Sequence, residues 1–166
     1  MILQNYKQCV SDISERQLTE LKTIINNYHD IIILGNGGSN AISSHIAEDY
    51  TKTLGKRALS FSDSARMSCY ANDYGWERAY SMFIKHFAID TTLVILISSS
   101  GNSDNILQAA EYCVVHNIPF ITLSGFLVSN KLNSCYSGKS LINFHINSND
   151  YGIVEIIHEL ILHSVL

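Results

Sequence analysis

At 166 residues, with 46% hydrophobic and 16% charged residues, the chain can bury a core without disulfide or metal staples and is neither disordered nor fibrous. A net charge of -4 with no basic run argues against a nucleic-acid partner held by phosphate neutralisation, though backbone N–H groups can bind a small phosphorylated molecule without Lys or Arg. No apolar run approaches about 18 residues, and "MILQNYKQCVSD" lacks the pattern of a secretory leader, so the expectation is one cytoplasmic domain over 1–166 with no membrane span.

In chain order, "SERQLTELKTIINNY" predicts a helix, with Ser14 and Gln17 at capping-box spacing and Leu18, Leu21, Ile24 and Ile25 on a helical period. "DIIILG" reads as a short buried strand, and Ser39 to about Lys52 as the helix after it. "RALSFSD" is a second strand, and "SARMSCYANDYGWERAYSMFIKHF" is helical on both sides of a break near "NDYG". "TTLVILISSSGNSDNILQAAEYCVVHN" repeats strand, serine/glycine turn and helix, with Ser103 at the N-cap. "IPFITLSG" and "SLINFHI" are further strands, and "DYGIVEIIHELILHSVL" closes the chain as a helix. Near-continuous apolar strands alternating with helices imply an α/β three-layer sandwich around a five-stranded parallel sheet, flavodoxin-like, with ligands at the carboxyl ends of the strands. Cys9, Cys69, Cys113 and Cys135 stand far apart with no C-x-x-C pair, as reduced thiols do.

Both glycine/serine turns fall at carboxyl ends of strands. "GNGGS", Asn36 to Ser39 after Gly35, precedes a helix N-terminus, where free N–H groups favour an anion. It fits neither the P-loop, lacking Gly-Lys-Ser/Thr, nor G-x-G-x-x-G, with Asn40 at the third glycine, which disfavours a nucleotide fold. "SSSGNS" places the hydroxyls of Ser98, Ser99, Ser100 and Ser103 around a second helix start. Together the two turns predict a cradle for a compact sugar phosphate.

His45 and Asp49 are four apart on one helix face and could bind one metal or substrate, with Glu48 a competing acid on nearly the same face. The last helix adds Glu155, His158, Glu159 and His163 among apolar neighbours, where unpaired charge is costly. Glu155 and His163 are about 12 Å apart along a helix axis. Geometry thus leaves open whether Glu155 or Glu159 acts with His163. On local chemistry alone, Ser62 or Asp63 caps a helix that Asn72 and Asp73 help to end. His86, His116, His145 and His158 take surface or helix-packing positions by default.

"GNGGS", "HIAED", "SDSARMSCYANDYG", "SSSGNS", "ITLSG" and "HELILH" occur in this order from roughly Leu34 to His163, and together they resemble the phosphoheptose isomerase family of the SIS, or sugar isomerase, domain group. The resemblance implies aldose–ketose isomerisation of sedoheptulose 7-phosphate to D-glycero-D-manno-heptose 7-phosphate through an enediol(ate), feeding lipopolysaccharide or capsule heptose. It implies that Asn36, Gly37, Gly38 and Ser39 lie along the substrate, that Ser98, Ser99, Ser100 and Ser103 hold its phosphate, and that Asn72 and Asp73 contact substrate, often in a neighbouring subunit. It also implies one zinc ion per subunit on His45, Asp49, Glu155 and His163, with Asp49 as base and His163 as acid/base partner. Glu48, adjacent and longer, is a substitute for Asp49. Asp49 stands where the family has Glu, and Glu155 where it has Gln. The implied assembly is a homotetramer, or a dimer, with the N-terminal helical segment 1–28 as contact. The alternatives are a non-catalytic SIS module that binds a sugar phosphate or a protein partner in a regulatory role, and an isomerase for another sugar.

Overall fold

Isoleucine, leucine and valine crowd the strand segments because a parallel sheet is covered on both faces and has no side left for water. In the computed structural model, which describes residues 2–166, these segments form β1 (Asp30–Leu34), β2 (Arg57–Ser60), β3 (Thr92–Ser98), β4 (Phe120–Gly125) and β5 (Ile142–Ile146). Met1, the first residue of the expected N-terminal segment, lies outside the described residues. The five strands pair in the order β2-β1-β3-β4-β5, all parallel, with Ile33 opposite Ile95 and Leu96 opposite Thr122. Every residue of β1, β3 and β4 is buried.

Successive strand side chains point to opposite faces, which sorts the core into two halves. Ile31, Ile33, Leu93, Ile95, Ile121 and Leu123 pack on one face with Leu21 and Ile25 of α2 (Glu15–Asn26), Ile46 of α3 (Gly38–Leu54), and Val154 and Ile157 of α8 (Tyr151–His163). Ile32, Leu34, Val94, Leu96 and Phe120 pack on the other with α4 (Ser64–Tyr74), α5 (Trp76–Phe87), α6 (Asp104–Val115) and α7 (Lys131–Tyr136). Each fully buried Leu, Ile or Phe contributes roughly 1.5–3 kcal/mol, so both faces are needed to hold the sheet. β1 and β3 are the neighbours between which strand order reverses, and the turns after them carry the two serine/glycine stretches.

α1 (Ile2–Ser11), which packs on α8, falls in the expected N-terminal helical segment, whereas the six-residue α7, opened by Asn130 accepting from the Asn133 N–H at 2.9 Å, lies outside the sequence expectation. The expected capping box does not form: Ser14 occupies the N-cap of α2, but its hydroxyl caps nothing. At a half-exposed helix start, water can serve the free N–H groups instead. Asp63, by contrast, does cap α4, accepting from the Arg66 N–H at 2.8 Å. All four cysteines are free. No helix among the described residues is long and apolar enough to cross a membrane.

His158 is a packing residue of α8, fully buried, with Nε2 3.1 Å from the Ser124 carbonyl and Nδ1 without a partner among the described residues. Burial pushes it from 6.5 down to about 4, the nearby His145 adding to that and the Ser124 carbonyl opposing it. Between these two values the unfolded chain takes up a proton that the folded chain refuses. Stability is therefore full above about pH 6.5 and falls toward pH 4, by an amount on the order of 3 kcal/mol. Urea unfolding of His158→Gln is expected to show a shallower loss of midpoint between pH 7 and pH 4 than the wild type. Equal slopes would assign the acid sensitivity to other groups.

Candidate active site

Gly37 and Gly38 open α3 without a side-chain cap, so the first amide groups of that helix are left for a ligand. Gly38 lets the Glu155 carboxylate of α8 lie close against the backbone; a Cβ there would meet the end of that flexible side chain and make it move aside. Across the switch point, the chain leaves β3 through Ser99 to Ser103. The Ser98 hydroxyl lies 3.2 Å from that of Ser103 and accepts from the Gly101 N–H at 3.1 Å, while Ser100 Oγ accepts from the Asn102 N–H at 3.3 Å. Gly101 has φ +63°, a conformation suited to glycine, and a Cβ there would overlap Asn130. Ser103 sits at the N-cap of α6 as expected, but its hydroxyl turns to Ser98 and caps no amide.

Asn36 to Ser39 and Ser98, Ser99, Ser100 and Ser103 line one cavity of about 250 Å³, together with Tyr151 and Glu155. Ser99 is only 5% exposed, and its hydroxyl has no hydrogen-bond partner among the described residues. Burying an unpaired hydroxyl costs free energy unless something else pairs with it. Asn36 is fixed by side chains that local sequence patterns do not reveal. It forms a reciprocal amide pair with buried Asn105, at 2.8 and 2.9 Å, and its Oδ1 lies 2.9 Å from the hydroxyl of Tyr80, which donates to the Gly35 carbonyl. The signal for Tyr80 was its place on the apolar face of α5, since a buried phenol requires a partner.

A second cavity, of about 580 Å³, shares Gly38 and Glu155 with the first and reaches His45 and Glu159. Beside it, α3 and α8 are drawn together where the buried Tyr50 hydroxyl donates to the Leu162 carbonyl at 2.8 Å. Tyr50 adjoins Asp49 and Leu162 adjoins His163, so this bond sets the spacing of the two side chains. Burial holds the Tyr50 phenol well above its usual value, as the un-ionised donor that the carbonyl needs. Asp49 Oδ2 lies 3.1 Å from His163 Nε2 and 3.2 Å from His45 Nε2, and the two imidazoles meet edge to face at 5.0 Å between centroids.

Donor atoms of His45, Asp49 and His163 all lie within 4.8 Å of one another. Two imidazoles and a carboxylate suit a zinc ion. The ligands of a tetrahedral zinc, at about 2.0–2.1 Å, stand roughly 3.3–3.4 Å apart, close to the two spacings between Asp49 and the imidazoles. Of the two carboxylates left open on α8, Glu159 reaches His45 Nδ1 at 2.9 Å, whereas Glu155 stands outside that trio with its carboxylate toward Gly38. Glu48 is exposed and takes no part in the cluster. Asn72 and Asp73 are exposed at the end of α4, paired with each other at 2.9 Å and away from both cavities.

The chain is 30% identical over 170 residues to the phosphoheptose isomerase of Fusobacterium nucleatum, a match covering 96% of this chain and 85% of that protein. A shorter match, 35% over 100 residues, joins 57% of this chain to 52% of the phosphoheptose isomerase of Serratia proteamaculans. The fold superposes on the phosphoheptose isomerase of Neisseria gonorrhoeae with TM-score 0.85 at 21% identity, over 96% of this chain and 88% of that one. It superposes on Vibrio vulnificus NanR, solved with ManNAc-6P, with TM-score 0.73 at 16% identity, over 98% of this chain and 57% of that one. No family model matches the chain.

Proposed function

This chain belongs to the phosphoheptose isomerase family and is a phosphosugar isomerase, and from that premise we propose that its substrate is sedoheptulose 7-phosphate, converted to D-glycero-D-manno-heptose 7-phosphate for lipopolysaccharide or capsule heptose. The observation that carries this reading is that the two cavities adjoin, both lined by Gly38 and Glu155. One offers uncapped helix amides and hydroxyls to a phosphate, and the other leads to His45 of the imidazole and carboxylate cluster. A phosphorylated sugar lying across Gly38 would have its phosphate and its carbonyl end served by different chemistry.

Ser98, Ser99, Ser100 and Ser103 hold the phosphate, and Asn36, Gly37, Gly38 and Ser39 lie along the sugar. Asp49 removes the proton from C1 of the ketose. The resulting enediolate takes the proton back at C2, which makes C1 the aldehyde carbon. His163 carries the proton between O1 and O2. His45, Asp49 and His163 would hold a zinc ion, with Glu155 as a fourth donor, and when bound the metal stabilises the oxyanion charge that develops on the substrate. Each chain holds one ion. The chain assembles as a homotetramer through the segment 1–28, and Asn72 and Asp73, placed away from their own cavities, serve a neighbouring copy's site. Exposed Ile156 and Leu160 on α8 support an apolar contact between copies.

The test is turnover of sedoheptulose 7-phosphate by metal-stripped protein with and without added zinc, followed by NMR of the anomeric protons. A new aldose signal that zinc accelerates is the expected result. An aldose signal indifferent to zinc would remove the metal from the mechanism, and no signal at all would remove this sugar as the substrate.

A further inference from the structure

A half-exposed imidazole on a helix can rotate and can carry its proton on either nitrogen, so a histidine that must present one chosen nitrogen needs a partner for the other. His45 has such a partner. Its Nε2 lies 3.2 Å from Asp49 Oδ2, on the side of His163, while its Nδ1 lies 2.9 Å from Glu159 Oε1. The His45 side chain is 55% exposed, so packing alone does not hold it, whereas Glu159 is 34% exposed and anchored on α8. Among the described residues, His163 shows no comparable second contact. Asp49 lies on His45's own helix and Glu159 on the one packed against it, and the two carboxylates take opposite edges of the same ring.

We infer that Glu159 is a positioning residue: it accepts the Nδ1–H of His45 and thereby turns Nε2 toward Asp49 and His163. This rests on the reading of His45 as a metal ligand. A ligating histidine commonly gives its other N–H to a carboxylate, which fixes the tautomer and ring orientation, and losing such a partner costs about 10- to 100-fold in metal affinity or activity. The same geometry separates Glu159 from the ligands, because its carboxylate meets the edge of the imidazole that faces away from the cluster.

Two variants and two readouts test the inference, with thermal unfolding to confirm that both variants fold. Glu159→Leu removes the acceptor, and Glu159→Gln keeps an acceptor oxygen without the charge. Zinc affinity is measured by competition with a chromophoric chelator, and the His45 proton is located by long-range 1H–15N correlation NMR on metal-free protein. The expectation is that Glu159→Leu binds zinc about 10- to 100-fold more weakly and moves the proton toward Nε2, while Glu159→Gln restores most of the affinity and keeps the proton on Nδ1. Wild-type affinity in Glu159→Leu, with the proton still on Nδ1, would overturn the inference. So would a loss in Glu159→Gln as large as in Glu159→Leu, which would make the carboxylate itself a ligand. If the wild type binds no zinc but the proton leaves Nδ1 in Glu159→Leu, the metal reading falls and the positioning role stands.

Discussion

Asp49→Asn is expected to lower kcat by about two to four orders of magnitude while the protein remains folded. Asparagine nearly matches aspartate in shape but cannot accept a proton from carbon. The substitution also removes the carboxylate oxygen that stands 3.1 Å from His163 and 3.2 Å from His45. The fold should tolerate it: Asp49 is only partly buried, and the Tyr50 hydroxyl on the Leu162 carbonyl still joins α3 to α8 at this level. Steady-state kinetics with an aldose-specific readout, beside circular dichroism and zinc titration, separates the possibilities. Near-normal kcat in a folded Asp49→Asn protein would rule out Asp49 as the base and reopen the case for Glu48.

β1, β3 and β4 were legible because each is a nearly unbroken apolar run, the signature of a strand covered on both faces, whereas the edge strands β2, "RALS", and β5, "INFHI", are only partly apolar and partly buried. The helices after β1 and β3 were legible from the serine/glycine turns that open them. α7 left no such trace: it is six residues long, "KLNSCY", and buries only Leu132. α1 was covered only by the helical segment 1–28 that the family resemblance implied, and its packing on α8 is a tertiary fact. In the site, the spacing of His45 and Asp49 placed them on one helix face, but no local pattern could decide between Glu155 and Glu159. Their positions depend on how α8 crosses α3, which fixes Glu155 against Gly38 and Glu159 against His45. Asn105 gave no signal for the same reason, and Tyr80 only its place on the apolar face of α5, since they act on Asn36 from α6 and α5.

Ser99→Ala should separate binding from stability. In most buried sites removing a hydroxyl breaks a hydrogen bond and destabilises the fold, but the Ser99 hydroxyl has no partner among the described residues. Its loss should leave the unfolding midpoint unchanged or slightly raised. The cavity it lines would lose a donor to a doubly charged phosphate, and a hydrogen bond to a charged group contributes about 1.5–3 kcal/mol. KM for the sugar phosphate is therefore expected to rise by between about ten- and a hundredfold, with kcat changed far less, because the phosphate stays charged and bound throughout the reaction. Ser98→Ala makes the contrast: that hydroxyl accepts from the Gly101 amide and pairs with Ser103, so its removal should lower stability as well as affinity. An unchanged KM in Ser99→Ala would move the phosphate away from this nest. A fall in kcat at constant KM would instead place Ser99 beside the reacting carbons, at the opposite end of the sugar.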